Sequence, residues 1–299
     1  MTKIETIQTN LDFNPFKFKK DSLKAIDLFA GIGGIRLGFQ EAFGKNIEFV
    51  FSSEIDKYAK QTYYANFGEV PYGDITKIDE KDIPPHDIIL AGFPCQAFSV
   101  AGKRLGFEDT RGTLFFDVAR IATYHKPKLI FLENVKGFLN HDKGNTFKVV
   151  KQTLEDLGYK VYSKVLNAKD FGVPQNRERI YIVAFLDNVD FDFPNNLNKN
   201  VSIHDMFETK IDDKYYYNNK PLFEKIKDDV ANKDSIYQWR RKYVRENKSG
   251  VCPTLTANMG TGGHNVPIIK DNKGIRKLTP KECLNFQGFP RNFKFPNLA

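Results

Sequence analysis

The sequence is short of the residues that build metal centres and secreted scaffolds. It has three cysteines in 299 residues, Cys95, Cys252 and Cys283. They are far apart and form no C-x-x-C pair, which excludes a cysteine-based metal site or a disulfide framework, so no metal is expected. A reducing compartment leaves each thiol free to react. No apolar run approaches the roughly 18 residues needed to cross a bilayer. Residues 1–20 are polar and mixed in charge, unlike a signal peptide. A soluble, intracellular protein without membrane contact is expected. There is no internal repeat and no long low-complexity tract. What remains is ordinary for a globular chain: 41% hydrophobic residues, and length enough for a large domain plus a small one. The net charge of +8 attracts polyanions, of which nucleic acid is the commonest.

Apolar, β-rich runs alternate with amphipathic stretches over the first 185 residues. Strands are predicted at Ala25-Ile26-Asp27-Leu28-Phe29, at 47–52, at Asp87-Ile88-Ile89-Leu90-Ala91, at Leu129-Ile130-Phe131-Leu132-Glu133 and at 180–185. Helices are predicted at 34–42, 57–67, 114–124 and 146–157. Short continuous apolar runs separated by helices predict a parallel sheet covered on both faces, an open doubly wound α/β domain. After Phe185 that rhythm stops. Residues 187–274, rich in Asn, Asp and Lys and then basic, aromatic and Gly-rich, predict a smaller second domain. The first domain then spans 20–186, and 275–299 is a return segment with a helix start at Thr279-Pro280-Lys281-Glu282.

Four motifs fall at predicted strand ends, where open α/β sheets bind ligands. Asp27-Leu28-Phe29-Ala30-Gly31-Ile32-Gly33-Gly34 leaves a strand and opens a helix. Glu54 ends the next strand, and acids there commonly bond ribose hydroxyls. Asp74 follows in Gly73-Asp74-Ile75, where it can meet an adenine amino group. An adenosine compound fits, and NAD and S-adenosylmethionine both satisfy the pattern. Asp27 places negative charge beside the ligand, which suits an ammonium and a sulfonium better than a pyrophosphate. The second motif, Gly92-Phe93-Pro94-Cys95-Gln96, puts a thiol at a strand end behind a rigid proline. A cationic loop follows, with Lys103, Arg104 and Arg111, suited to closing on an anion. Glu133-Asn134-Val135 ends the next strand at the same edge, where desolvation favours a protonated carboxyl. Last, Gln175-Asn176-Arg177-Glu178-Arg179 presents two guanidiniums on one face; their alternative is ion pairing with Glu178.

Together these motifs resemble the DNA (cytosine-5)-methyltransferases of bacterial type II restriction–modification systems, HhaI-like in kind. The resemblance runs in order from Ala25 to Phe185, includes Phe107-Glu108-Asp109-Thr110-Arg111-Gly112, and resumes from Arg276 to Pro290. It implies a Rossmann-like S-adenosylmethionine-dependent methyltransferase domain with a smaller target-recognition domain. It also implies transfer of a methyl group to carbon 5 of cytosine in a specific double-stranded sequence, protecting DNA from a cognate restriction endonuclease. Asp27, Phe29, Gly31, Ile32, Gly34, Glu54, Ile55, Asp74, Ile75 and Pro94 are then the expected cofactor residues. Cys95 is the implied nucleophile, Glu133 the partner of cytosine N3, Arg177 the group near the base oxygen and Arg179 its support. Gln96, Ser99, Lys103, Arg104 and Arg111 would meet DNA from the closing loop, and Arg240, Arg241, Arg245 and Thr254 from the target-reading segment. The expected location is the bacterial cytoplasm, on the nucleoid.

One part of the family pattern, a Gly-Asn-Ser-Val-like stretch that completes the cofactor pocket, is not found before Ala299. This raises the expectation of a shortened chain, or of a complementing polypeptide that carries the segment. Two rivals from other classes remain: a nicotinamide-dependent oxidoreductase, which leaves Cys95, Glu133 and Arg177 without a common purpose, and a catalytically silent DNA-binding fragment. A tRNA cytosine methyltransferase is the nearest variant, and the long target-reading segment favours DNA.

Overall fold

A computed structural model describes residues 22–94, 114–197, 199, 201–257, 259 and 264–296. The first half builds β1 (Leu23–Leu28), α1 (Gly34–Phe43), β2 (Ile47–Ser53), α2 (Lys57–Phe67), β3 (Ile88–Ala91), α3 (Phe115–His125), β4 (Leu129–Val135), α4 (Asn145–Asp156), β5 (Lys160–Asn167), β6 (Gln175–Asn176) and β7 (Glu178–Phe185). Six of these strands form one sheet in the order β2-β1-β3-β4-β7-β5. The central runs are apolar because both faces are covered. Ile26, Leu28, Ile89, Ile130 and Leu132 pack under Val118, Ile121, Val150 and Leu154 of α3 and α4. The alternate residues Ala25, Ile88, Leu90 and Val183 pack on the other side against Ile35, Phe39 and Phe43 of α1. The Rossmann-like, doubly wound expectation is met.

One detail of the sheet differs from the expectation. β1, β2, β3 and β4 are mutually parallel, but β7 runs antiparallel between β4 and β5. β5 itself was not foreseen: it is the sheet edge and half exposed, so Lys160, Ser163 and Lys164 break its apolar run. Its connection to β7 spans only residues 168–177, too short for the crossover that parallel neighbours need.

The second half adds α5 (Phe223–Ile226), β8 (Ile236–Arg240), β9 (Val244–Asn247), β10 (Cys252–Pro253), β11 (His264–Lys270), β12 (Ile275–Lys277) and α6 (Pro280–Asn285). A separate antiparallel sheet, β12-β11-β8-β9, closes over its own core of Ile226, Val230, Tyr237, Trp239, Val266, Ile268 and Ile275. α6 begins where the sequence predicts, with Thr279 and Glu282 forming a reciprocal capping box and Pro280 in the first turn. The chain then returns to the first layer: Phe293 meets Phe67, and the Lys294 backbone exchanges two hydrogen bonds with the Asn66 amide. A stitch of β10 on β6 joins the two halves beside Arg177. No helix among the described residues is long and apolar enough to cross a membrane.

Candidate active site

The turn after β1 is built to bring backbone close to a ligand. Phe29, Gly31 and Gly33 all have positive φ, at 55°, 55° and 87°. Gly33 is obligatory: a Cβ there would stand 2.2 Å from the Phe67 ring. Gly31 N donates to Glu54 Oε2 at 2.8 Å, while Glu54 Oε1 accepts from Ile55 N and Asp56 N, each at 2.8 Å. Glu54 is thereby locked at the end of β2. A small cavity of about 240 Å³ lies beside it, lined by Phe29, Glu54, Ile55, Asp74, Ile75 and Leu114 among others. Asp74 accepts from Thr76 N and Oγ1, and these bonds hold its carboxyl below the ordinary 3.8. It is an ionised acceptor suited to an amino group. Ile55 is 76% exposed at the rim, an apolar side chain in position to be covered by a flat ring.

Phe29 also lines a larger cavity of about 660 Å³. Ile32, Gly34, Gly92, Glu133, Arg177 and Tyr181 face it, and an apolar trough along α1 extends it, with Leu37, Phe39 and Phe43 against Phe131. Glu133 Oε1 pairs with Arg179 Nε at 2.8 Å. Its Oε2 faces the opposite strand end, where a Cβ on Gly92 would lie 3.6 Å away. Arg177, just before β7, and Arg179 and Tyr181 within it follow one another at period two, so they share one face of the sheet, the face of Glu133, with which Tyr181 registers. Burial, and then the neighbouring Arg179, lower the Arg177 guanidinium below its ordinary value. Glu178, on the other face, pairs with Lys136 at 2.8 Å, while Arg177 lines the cavity and Arg179 pairs with Glu133.

The expected cofactor residues Phe29, Ile32, Gly34, Glu54, Ile55, Asp74 and Ile75 thus line the two adjoining cavities, and Gly31 braces Glu54. Pro94 is exposed and lines neither. Asp27 is a correction. It also lines neither cavity and is 1% exposed, because the strand turns its side chain inward. Its carboxyl accepts from Tyr63 Oη at 3.3 Å; Tyr63 in turn accepts from Arg36, which pairs with Glu69. Burial pushes Asp27 up to about 8, against the opposing pull of Arg36 and the Tyr63 bond. Between the ordinary 3.8 and about 8 the folded chain therefore keeps a proton that the unfolded chain has lost. The resulting stability is complete at low pH and is lost as pH rises through that window. Asp27→Asn should flatten this component, so that its unfolding midpoint in thermal melts rises relative to the parent between pH 5 and pH 8.

Cys95, Gln96, Ser99, Lys103, Arg104 and Arg111 lie outside the described residues. Cys252 and Cys283 are buried, and burial raises both thiols above their ordinary range, so neither is a candidate nucleophile. Arg241 and Arg245 are exposed on the hairpin of β8 and β9, and Arg240 is half buried at the end of β8. Thr254 donates to Asn176 O, and Arg177 Nη1 reaches Leu255 O at 3.5 Å. Three contributors went unassigned at the level of sequence. Tyr181 continues the period of Arg177 and Arg179. Gln287 and Phe289, within the stretch from Arg276 to Pro290 that resembles the family, line the large cavity.

The C-5 cytosine-specific DNA methylase family matches residues 23–299. The Type II methyltransferase M.Bsp6I of Bacillus sp. (strain RFL6) is 52% identical over 288 residues, covering 93% of this chain and 90% of the relative. The Type II methyltransferase M.HhaI of Haemophilus parahaemolyticus is 44% identical over 293 residues, covering 91% and 85%. Among solved structures, that of the S. pombe Dnmt2 methyltransferase superposes with a TM-score of 0.71 at 19% identity, covering 93% of this chain and 90% of the other. That likeness is one of fold.

Proposed function

Because the chain belongs to the C-5 cytosine-specific DNA methylase family, we propose that it methylates carbon 5 of a cytosine in a specific double-stranded DNA sequence, with S-adenosylmethionine as donor and S-adenosylhomocysteine as product. One observation carries the reading: the glycine turn after β1, the Gly92 strand end that leads into Cys95, and the Glu133–Arg179 pair converge on a single cavity. The anchored Glu54, the ionised Asp74 and the exposed Ile55 fit a ribose and an adenine, and Phe29 spans from them to the reacting end. A nicotinamide enzyme has no use for Glu133 and its arginines at that place.

Carbon 5 of cytosine is too weak a nucleophile to be methylated unaided. Addition of the Cys95 thiolate to carbon 6 puts electron density on carbon 5. Glu133 holds N3 through Oε2, since Arg179 occupies Oε1. The Arg177 guanidinium meets the base oxygen. Bound S-adenosylmethionine supplies an electrophilic methyl group. A base then takes the carbon 5 proton, and the bond from sulfur to carbon 6 breaks as the ring regains its double bond. A stacked base is beyond reach, so the nucleotide is flipped out of the duplex. Gln96, Ser99, Lys103, Arg104 and Arg111 contact DNA from the loop, and Arg240, Arg241, Arg245 and Thr254 from the target-reading side. In the cytoplasm, on the nucleoid, the modification shields DNA from a cognate endonuclease. Incubation with tritiated S-adenosylmethionine and DNA, followed by bisulfite sequencing of DNA from expressing cells, tests the reading. Absence of label and of converted-site protection would sink it.

A further inference from the structure

Asn134 follows Glu133 in β4 and has no part in the chemistry above. Its side chain is 4% exposed. Nδ2 donates to the carbonyl oxygen of Phe93 at 2.9 Å, and Oδ1 accepts from Val135 N at 2.8 Å. Both ends of the amide are engaged, so it cannot swing without breaking two bonds away from water. The parallel ladder of β3 on β4 stops at Ala91 and Leu132. Beyond it the chain of β3 leaves the sheet, and the Phe93 carbonyl is tied by a side chain instead. The next peptide nitrogen belongs to Pro94 and carries no hydrogen. That carbonyl is therefore the one hydrogen-bonding handle on the Phe93–Pro94 peptide. The Phe93 ring, 5% exposed, packs edge-on against Phe138 at 5.6 Å and fixes where the residue sits. The Asn134 bond fixes how its peptide plane is turned.

Resting on the reading of Cys95 as nucleophile, we propose that Asn134 is a positioning residue whose amide sets the Phe93–Pro94 peptide, the link that precedes Cys95 in the sequence, relative to the Glu133 carboxylate. Consecutive strand residues point to opposite faces. Glu133 thus turns to the cavity and Arg179 while Asn134 turns to the departing end of β3. One dipeptide references the acid and the Phe93–Pro94 peptide to the same strand end. A misplacement of about 1 Å at a reacting group costs on the order of 10²-fold in rate, and that is the loss expected when the bond is removed.

DNA carrying 5-fluorocytosine at the target site provides the probe. The fluorine on carbon 5 cannot leave as a proton does, so the thiol adduct accumulates after methyl transfer and its rate of formation can be followed. Asn134→Ala should lower kcat and the trapping rate about 10²-fold, with the KM for S-adenosylmethionine held within about twofold. Asn134→Asp adds a readout that a merely structural role would not move. Its ionised carboxylate faces the Phe93 carbonyl acceptor to acceptor, whereas its protonated form donates. Trapping by the Asp variant should recover as pH falls, relative to the parent and to Asn134→Ala at each pH. The assignment is overturned if a folded Asn134→Ala traps at the parental rate, or if the Asp variant follows the parental pH profile. A parent that fails to trap, or a Cys95→Ser variant that traps like the parent, overturns the nucleophile reading itself and this assignment with it.

Discussion

Replacing Cys95 by serine is expected to abolish methyl transfer while leaving DNA and S-adenosylmethionine binding near parental levels. The thiol is the only group in the Gly92-Phe93-Pro94-Cys95-Gln96 stretch that is substantially ionisable near neutral pH. A serine hydroxyl keeps its proton at neutral pH and adds poorly to a cytosine ring. Nothing else among the described residues can stand in: Cys252 and Cys283 are buried and their thiols are raised by that burial. Loss of a covalent nucleophile in an enzyme of known mechanism costs on the order of 10⁴- to 10⁶-fold. Single-turnover transfer of tritium to target DNA measures it, with a gel-shift titration as the control for binding. A serine variant that methylates as well as the parent removes the covalent step from the mechanism.

Glu133→Gln should reduce the chemical step by about 10²- to 10⁴-fold, the range that general acid–base groups contribute. Glutamine keeps the size of the side chain, and its carbonyl oxygen still accepts from Arg179 Nε, so the pairing seen at 2.8 Å survives as a neutral-acceptor bond. What it loses is the ability to hold a proton at N3 and the negative charge that offsets the neighbouring arginines. The repulsion of Arg177 by Arg179 is then no longer opposed by the Glu133 charge. This is expected to weaken orientation of the base as well as proton donation. The measurement is the rate of adduct formation on 5-fluorocytosine DNA, compared with the unfolding midpoint. A normal midpoint with a slow adduct places the loss in the chemistry. A parental adduct rate would mean that N3 is served by another group.

Much of this site was legible in the linear sequence because strand ends carry it. Three of the motifs begin at the end of a short apolar run, and parallel strands deliver their carboxyl ends to one edge. Glu54 and Glu133 are placed there by position along the chain, whereas Arg177 precedes β7 and reaches the same edge because that strand runs antiparallel. Asp27 was misread for a physical reason. Its place in the motif is adjacent to the ligand turn, but alternation along β1 sends its side chain inward to Tyr63 and Arg36. The edge strand β5 was missed because exposure on one side dilutes its apolar pattern. Asn134 stood in view within Glu133-Asn134-Val135, yet its bond to Phe93 spans 41 residues and leaves no local signature.

By itself the sequence determined the doubly wound layout, the order of the motifs and the residue types brought to the edge, because these follow from hydrophobic period and from turn chemistry close along the chain. Only the tertiary structure decided which oxygen of Glu133 is taken by Arg179, which is left facing Gly92, that β7 runs antiparallel so that Arg177, Arg179 and Tyr181 face the acid, and that residues 287–289 return to wall the cavity. Those choices depend on strand direction and on contacts between residues tens to hundreds of positions apart, which local pattern does not encode.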